Sequence, residues 1–298
     1  MKVLLYDFRW INEHGCEIQG SVGGRFGRKK ISIGDEMSLE ACSAIRCAGC
    51  IENGVWKPCP KHSEGKAKCE YCRAIEGNFI FTAFDGFDQS QLQPGDLDKI
   101  SGEHVVYFAL FESGVLKVGV SKKERKVLRQ IEQGSHQTLF WAEAPDGLVA
   151  RQIETLARRA GIADKIQSRQ KKTSLQPEIS EEVARKELRE ALAKSLEGLN
   201  ESAHLKKFIS LNPEFVSWDS VYHTDVLPRI GKPLQPISLS EAESVSGVIR
   251  AIKGAFVIIE TDHELVSLNM KSLSGRECDL SPKPMGLTLH TALQNSLF

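Results

Sequence analysis

Six of the chain's eight cysteines fall between Cys42 and Cys72, and four of them form two pairs with a two-residue gap, Cys47/Cys50 and Cys69/Cys72. Each gap sets two sulfurs on one tight turn, from which both reach a single ion at ~2.3 Å, and two such turns close a tetrahedron. The pairs lie 18 residues apart, an interval that suits a zinc ribbon. No other feature restricts the local fold so strongly, because a short stretch pinned at four points has few conformations left. Cys59 and His62 make a third pair with the same gap, so either could replace a member of the set or serve a second ion. Four thiolates close the site, which makes the expected Zn²⁺ structural rather than catalytic. Cys16 and Cys278 have no partner pattern and read as buried thiols.

The alternative use of paired cysteines is a disulfide, and the expected setting disfavours it. No run of ~18 apolar residues suggests a membrane helix, so no membrane partner is expected. The opening MKVLLYDFRW is too short an apolar run for a signal peptide and lacks a cleavage pattern, so a cytoplasmic location follows. With 298 residues the chain can hold two or three cores.

An α+β organisation follows from the patterning. Residues 1–86 read as a β unit with alternating segments at 3–10, 17–22 and 28–33, carrying the zinc ribbon at 42–72. Gly23-Gly24-Arg25-Phe26-Gly27-Arg28 resembles a phosphate loop but lacks the Lys-Ser/Thr ending and a following helix, so it reads as a hairpin turn. Residues 77–86 form an aromatic β segment in which Phe79, Phe81 and Phe84 serve core packing rather than base stacking. A linker is expected at 87–103. Residues 163–240 read as a helical extension: Ser180 caps a helix that runs to about 199, and a short helix follows at 203–209. Residues 241–298 read as a small β unit with a tight turn at Lys253-Gly254, able to pair with the β unit at the other end of the chain. Asp262, His263 and Glu264 sit together there and read as a solvated turn.

Between these parts, residues 104–162 carry the order β-β-α-β-α. Alternating apolar runs at 105–111 and 115–120 flank a Glu-Ser-Gly turn. A basic helical segment at 122–133 stops at Gly134, a strand follows at 138–144, and a second helix carries Arg151, Glu154, Leu156 and Arg158. From Lys117 to Lys172 there are 13 Lys/Arg against 6 Asp/Glu, in a chain whose total charge is zero. Such local excess is the footprint of a phosphate-binding face, with Lys122, Lys123, Arg125 and Lys126 as the expected contacts to nucleic acid.

This central stretch resembles the GIY-YIG nuclease superfamily. Val105-Val106-Tyr107 stands where Gly-Ile-Tyr would be, and Lys117-Val118-Gly119 where Tyr-Ile-Gly would be. Arg129 matches the helical arginine, with Arg125 as its competitor, and Glu154 matches the glutamate. The resemblance implies that Glu154 would hold Mg²⁺ or Mn²⁺ in a nuclease-active protein, Arg129 would stabilise the transition state, and Tyr107 would position water. Lys117 replaces the second tyrosine, so cleavage does not carry over in full. Plainer roles are a core strand tyrosine for Tyr107 and a helical ion pair with Arg151 or Arg158 for Glu154. The cysteine cluster, the Lys-Val-Gly strand, the run Arg129-Gln130-Ile131-Glu132-Gln133-Gly134 and the late Ile252-Lys253-Gly254 hairpin, in that order, resemble a prokaryotic family known as domain of unknown function 2797. The expectation is a zinc-containing nucleic-acid-binding protein with a GIY-YIG-like domain and a divergent endonuclease site. The alternative is a non-catalytic adaptor that uses the ribbon to dock a protein partner.

Overall fold

A computed structural model describes residues 2–76, 84–92, 95–112, 114–167, 170–171, 175–176, 179–199, 202–281 and 286–289. The chain divides into two compact units, one of residues 1–77 with 225–298 and one of residues 78–224. The architecture is α+β.

The first unit begins with a meander, β1 (Lys2–Asn12), β2 (Gly15–Val22) and β3 (Arg25–Ile31). Val3, Leu5, Phe8 and Trp10 are buried, and the break in their alternation coincides with a register shift between Leu5 and Asp7. The β2–β3 turn is Gly23-Gly24, both with positive φ. That backbone is the one a two-residue hairpin needs, so the glycine-rich run is a turn and not a phosphate loop. Next come β4 (Glu36–Ala41), the small hairpin β5 (Cys50–Glu52) and β6 (Val55–Lys57), and helix α1 (Glu70–Glu76).

In the second unit, β7 (His104–Glu112), β8 (Val115–Lys122), α2 (Lys126–Gln133), β9 (Gln137–Ala144) and α3 (Gly147–Arg159) follow the β-β-α-β-α order. Helix α4 (Glu181–Gly198) and strand β10 (Ile209–Ser217) complete it. The antiparallel sheet runs β10-β9-β7-β8. Gly134 ends α2 in the left-handed conformation, while Asp146 and Ser180 cap α3 and α4 through Val149 N–H and Val183 N–H. One sheet face carries Val106, Phe108, Leu110 and Val118, packed with Ile153 and Leu156 of α3 and Leu188 of α4. On the other face Tyr107 lies opposite Gly119 and Ala109 opposite Lys117.

The chain then returns to the first unit with β11 (Leu234–Ile237), β12 (Ser244–Lys253), β13 (Phe256–Glu260), β14 (Leu265–Asn269), β15 (Glu277–Asp279) and β16 (Gly286–Thr288). Strands from both ends of the chain make one sheet, in the order β11-β14-β13-β12-β4-β15-β1-β2-β3, with β16 also on β12. The seams are β4 with β12 and β15 with β1 and β4.

Two expectations need correction. The segment 163–240 is not helical throughout: after α4 and a single turn at Ala203–Lys206 it contributes β10 and β11. The sequence ISLNPEFVS conceals its strand because Pro213 interrupts the alternation, and an edge strand tolerates that proline; the β9 pairing shifts register there, between Ile209 and Glu214. The segment 87–103 is packed rather than a free linker, with single turns at Gln89–Gln91 and Asp96–Lys99 and with Ile100 buried against Phe84. Phe84 is thus a core residue, while Phe79 and Phe81 lie outside the described residues. Among the described residues, no helix is long and apolar enough to cross a membrane.

Candidate metal centre and cationic cleft

The sulfurs of Cys47, Cys59, Cys69 and Cys72 lie within 4.8 Å of one another, and all four residues are buried. A tetrahedron with ~2.3 Å arms has edges of about 3.8 Å, and Cys59 Sγ lies 3.7 Å from Cys69 Sγ. The donor set therefore fits a four-coordinate thiophilic ion. Cys47 is on the turn before β5, where Gly49 has positive φ and where a Cβ would meet Lys57 O at 2.2 Å. Cys69 stands just ahead of α1 and Cys72 lies within it.

Backbone N–H groups point at the sulfurs. Cys69 N donates to Cys47 Sγ at 3.3 Å, and Ser63 and Lys61 supply backbone bonds to Cys59. The backbone N–H of Cys72 is the largest influence on Cys69, whose thiol is pushed down to about 6. Burial pushes the Cys72 thiol up instead. Mixed protonation of this kind belongs to four crowded thiols; a bound cation favours all four as thiolates.

Three members of the expected ligand set are in the cluster, and Cys59 stands in place of Cys50. Cys50 is buried beside the others, but it opens the β5 strand, paired with Lys57, and its sulfur is outside the group of four. His62 is solvent-exposed. The module is tied to its own sheet by Cys42 N–H to Glu277 O and Arg46 N–H to Gly275 O and by the Arg46–Glu277 ion pair at 2.7 Å.

In the second unit, the residues matched to nuclease roles do not share one opening. Tyr107 is fully buried, its hydroxyl accepts from Gln133 Nε2 at 2.8 Å, and its ring meets Phe140 edge-on. It belongs to a polar layer in which Gln130 Oε1 accepts from Thr138 Oγ1 and Trp218 Nε1 donates to the same hydroxyl. Glu154 is also buried and accepts from Arg151 Nη1 at 2.6 Å. Lys117 is half-buried. Burial, and after it the charge of Arg129, push its ammonium down to about 8 against the opposing pull of Glu154 and Asp164. Arg129 is exposed on α2, and among the described residues its guanidinium has no carboxylate partner.

The expected phosphate contacts are largely engaged. Lys123 pairs with Glu143 and Glu103, Arg125 with Glu132, and Lys126 with Glu214. Only Lys122 of these four has no carboxylate partner among the described residues. Exposed pairs of this kind are worth ~1 kcal/mol or less, so phosphates can displace them.

A cleft of about 380 Å³ is lined by Ile100, His104, Val120, Ser121, Lys122, Arg125, Arg129, Glu132, Gly147 and Arg151. It gathers four cations against one lining carboxylate. Sequence reasoning missed His104 and Gly147, since a histidine opening an apolar strand and a glycine after a helix cap carry no motif. Arg151 was visible only as an ion-pair partner for Glu154.

A family profile described as "Protein of unknown function (DUF2797)" matches residues 34–278. No curated protein matches the chain, and no solved structure does.

Proposed function

The chain belongs to the DUF2797 family of proteins of unknown function, and on that footing we propose that it is a zinc-containing protein that binds nucleic acid through the cationic cleft of its second unit. The cleft carries the reading: four cations line it, and two of them, Lys122 and Arg129, have no carboxylate partner among the described residues. Phosphate is the abundant biological anion that such a surface holds through charge-assisted bonds. The four-cysteine cluster supports a structural zinc ion, held by Cys47, Cys59, Cys69 and Cys72. Its role is to fix the fold of the module rather than to react, because four thiolates leave no open coordination position.

The resemblance of β7–α3 to GIY-YIG nucleases motivates a second reading, phosphodiester cleavage. One observation favours it: Lys117 has a depressed pKa and stands within electrostatic reach of Glu154 and Arg129. Glu154 would have to release Arg151 to hold Mg²⁺ or Mn²⁺, a hard cation that takes carboxylate oxygen and keeps several waters. Binding without cleavage is therefore the primary reading.

Fluorescence anisotropy against single- and double-stranded DNA and RNA tests it, alongside zinc analysis of the purified chain. The expected result is one zinc per chain and salt-sensitive binding of at least one polymer. Nicking with Mg²⁺ or Mn²⁺ that vanishes in Glu154→Gln would establish the cleavage reading. Failure to bind any polymer would overturn both and favour the adaptor alternative, in which Val55 and Tyr71, both exposed on the cysteine module, face a protein partner.

A further inference from the structure

The cleft is recessed, and its charge is arranged for more than one contact to a polymer backbone. Arg125 is paired with Glu132 at 3.1 Å and Arg151 with Glu154 at 2.6 Å. Lys122 and Arg129 have no carboxylate partner among the described residues, and they line the same space. Two unpaired cations in one recess match a dianion. A phosphomonoester carries nearly two negative charges at neutral pH, whereas an internal phosphodiester carries one.

His104 adds a polar group to the same cleft. It is 4% exposed, yet it lines the cleft. Its Nδ1 bonds to Gly102 O at 2.8 Å, which makes Nδ1 the donor; Nε2 has no hydrogen-bond partner among the described residues. A Cβ on Gly147 would stand 3.1 Å from that Nε2, so the nitrogen lies close to Gly147, which also lines the cleft. A sugar hydroxyl of a nucleotide can donate to Nε2, whereas a dianionic phosphate has no proton to give. Gly147 itself admits no side chain, since its Cβ would lie 2.7 Å from Ile100 Cβ. Gly147 is the first residue of the 13-residue α3, and its N–H is already engaged, donating to Ile100 O at 2.8 Å. The carboxylate of its cap, Asp146, is occupied by Val149 N–H at 2.9 Å.

Shape points the same way. An internal phosphodiester has chain on both sides and must bend to bring its phosphorus into a recess, while a terminal monoester has a substituent on one side only and enters directly. The volume of about 380 Å³ is within the ~300–1,000 Å³ range of small-ligand sites. Ile100 and Val120 add apolar wall for a sugar or base.

We propose that this cleft binds the terminal phosphomonoester of a nucleotide, at a strand end or on a free mononucleotide, in preference to internal phosphodiesters. The strand-end form rests on the nucleic-acid reading above. The test uses the full chain and one short labelled oligonucleotide sequence in three forms, with a 5′-phosphate, a 3′-phosphate or neither. Nucleoside monophosphate is titrated separately by calorimetry.

A phosphorylated end is expected to bind on the order of tenfold tighter than the unphosphorylated strand, a difference of ~1.4 kcal/mol. Arg129→Gln and Lys122→Gln, each checked for native circular dichroism, are expected to bring that ratio close to one. Equal affinity for all three strands would overturn the phosphomonoester proposal and leave nucleic-acid binding standing. Monophosphate bound with no strand bound would support the cleft and overturn the polymer reading. Loss of binding to every probe would overturn both.

Discussion

At Gly119 a single added carbon would meet the Tyr107 hydroxyl at 2.5 Å and its ring carbon at 2.7 Å. Overpacking of that kind costs ~1–3 kcal/mol, so Gly119→Ala is expected to lower the urea midpoint by a corresponding amount. Tyr107→Phe removes only the bond to Gln133, with an expected loss of ~0.5–1.5 kcal/mol and no change in oligonucleotide affinity; a large affinity loss at unchanged stability would restore Tyr107 to the site. Lys117 is a pH probe. Folded, it releases its proton near pH 8 rather than 10.5, so between those values the unfolded chain binds more protons and stability rises with pH. Below about pH 8 both states are charged and the burial penalty is fully present. The stability difference between Lys117→Met and wild type is therefore expected to shrink as pH rises through that window, read as paired denaturation midpoints. The strand positions of Tyr107, Lys117 and Gly119 were legible from alternation. A core tyrosine was among the readings of Tyr107, but its bond to Gln133, on a helix 26 residues away, was not legible, because no local pattern encodes the contact.

The elements show where spacing rules stop. Three two-residue pairs offered several ligand sets, and a gap in sequence does not say which sulfurs converge. The β5–β6 hairpin decides, since it commits Cys50 to a strand while Cys59, just beyond β6, turns back toward Cys69. Cys59→Ser is expected to lose zinc and Cys50→Ser to retain it, measured as metal released to a colorimetric chelator from equal amounts of protein; the reverse outcome would restore the ribbon pairing read from the sequence. In the second unit, capping was plainly legible at Ser180, and Asp146 in Pro-Asp-Gly performs the same task for α3. Asp146→Ala is expected to cost ~1 kcal/mol, read by thermal denaturation. Strand β10 escaped notice because Pro213 hides it, and the basic helix overstated its free charge because Glu214 on that strand neutralises Lys126.

Over the whole molecule, the first unit depends on both ends of the chain. β4 lies between β12 and β15, so residues 1–77 alone leave it without either neighbour in its sheet. A fragment of those residues is expected to lack cooperative unfolding, and adding a second fragment of residues 225–298 is expected to restore it. The sequence suggested that the two end units could pair, but it could not specify the seam, since each strand's alternation is satisfied by any partner offering an apolar face. The central claim concerns the cleft, whose cations were legible one by one and whose convergence was not. The most direct measurement is the salt dependence of oligonucleotide affinity for wild type and for Lys122→Glu with Arg129→Glu. Binding that weakens steeply with salt, at a slope of about −0.7 per single-strand phosphate contact, and that the double reversal abolishes is the predicted result. Absence of binding at low salt, or binding indifferent to both salt and the reversal, would contradict the account.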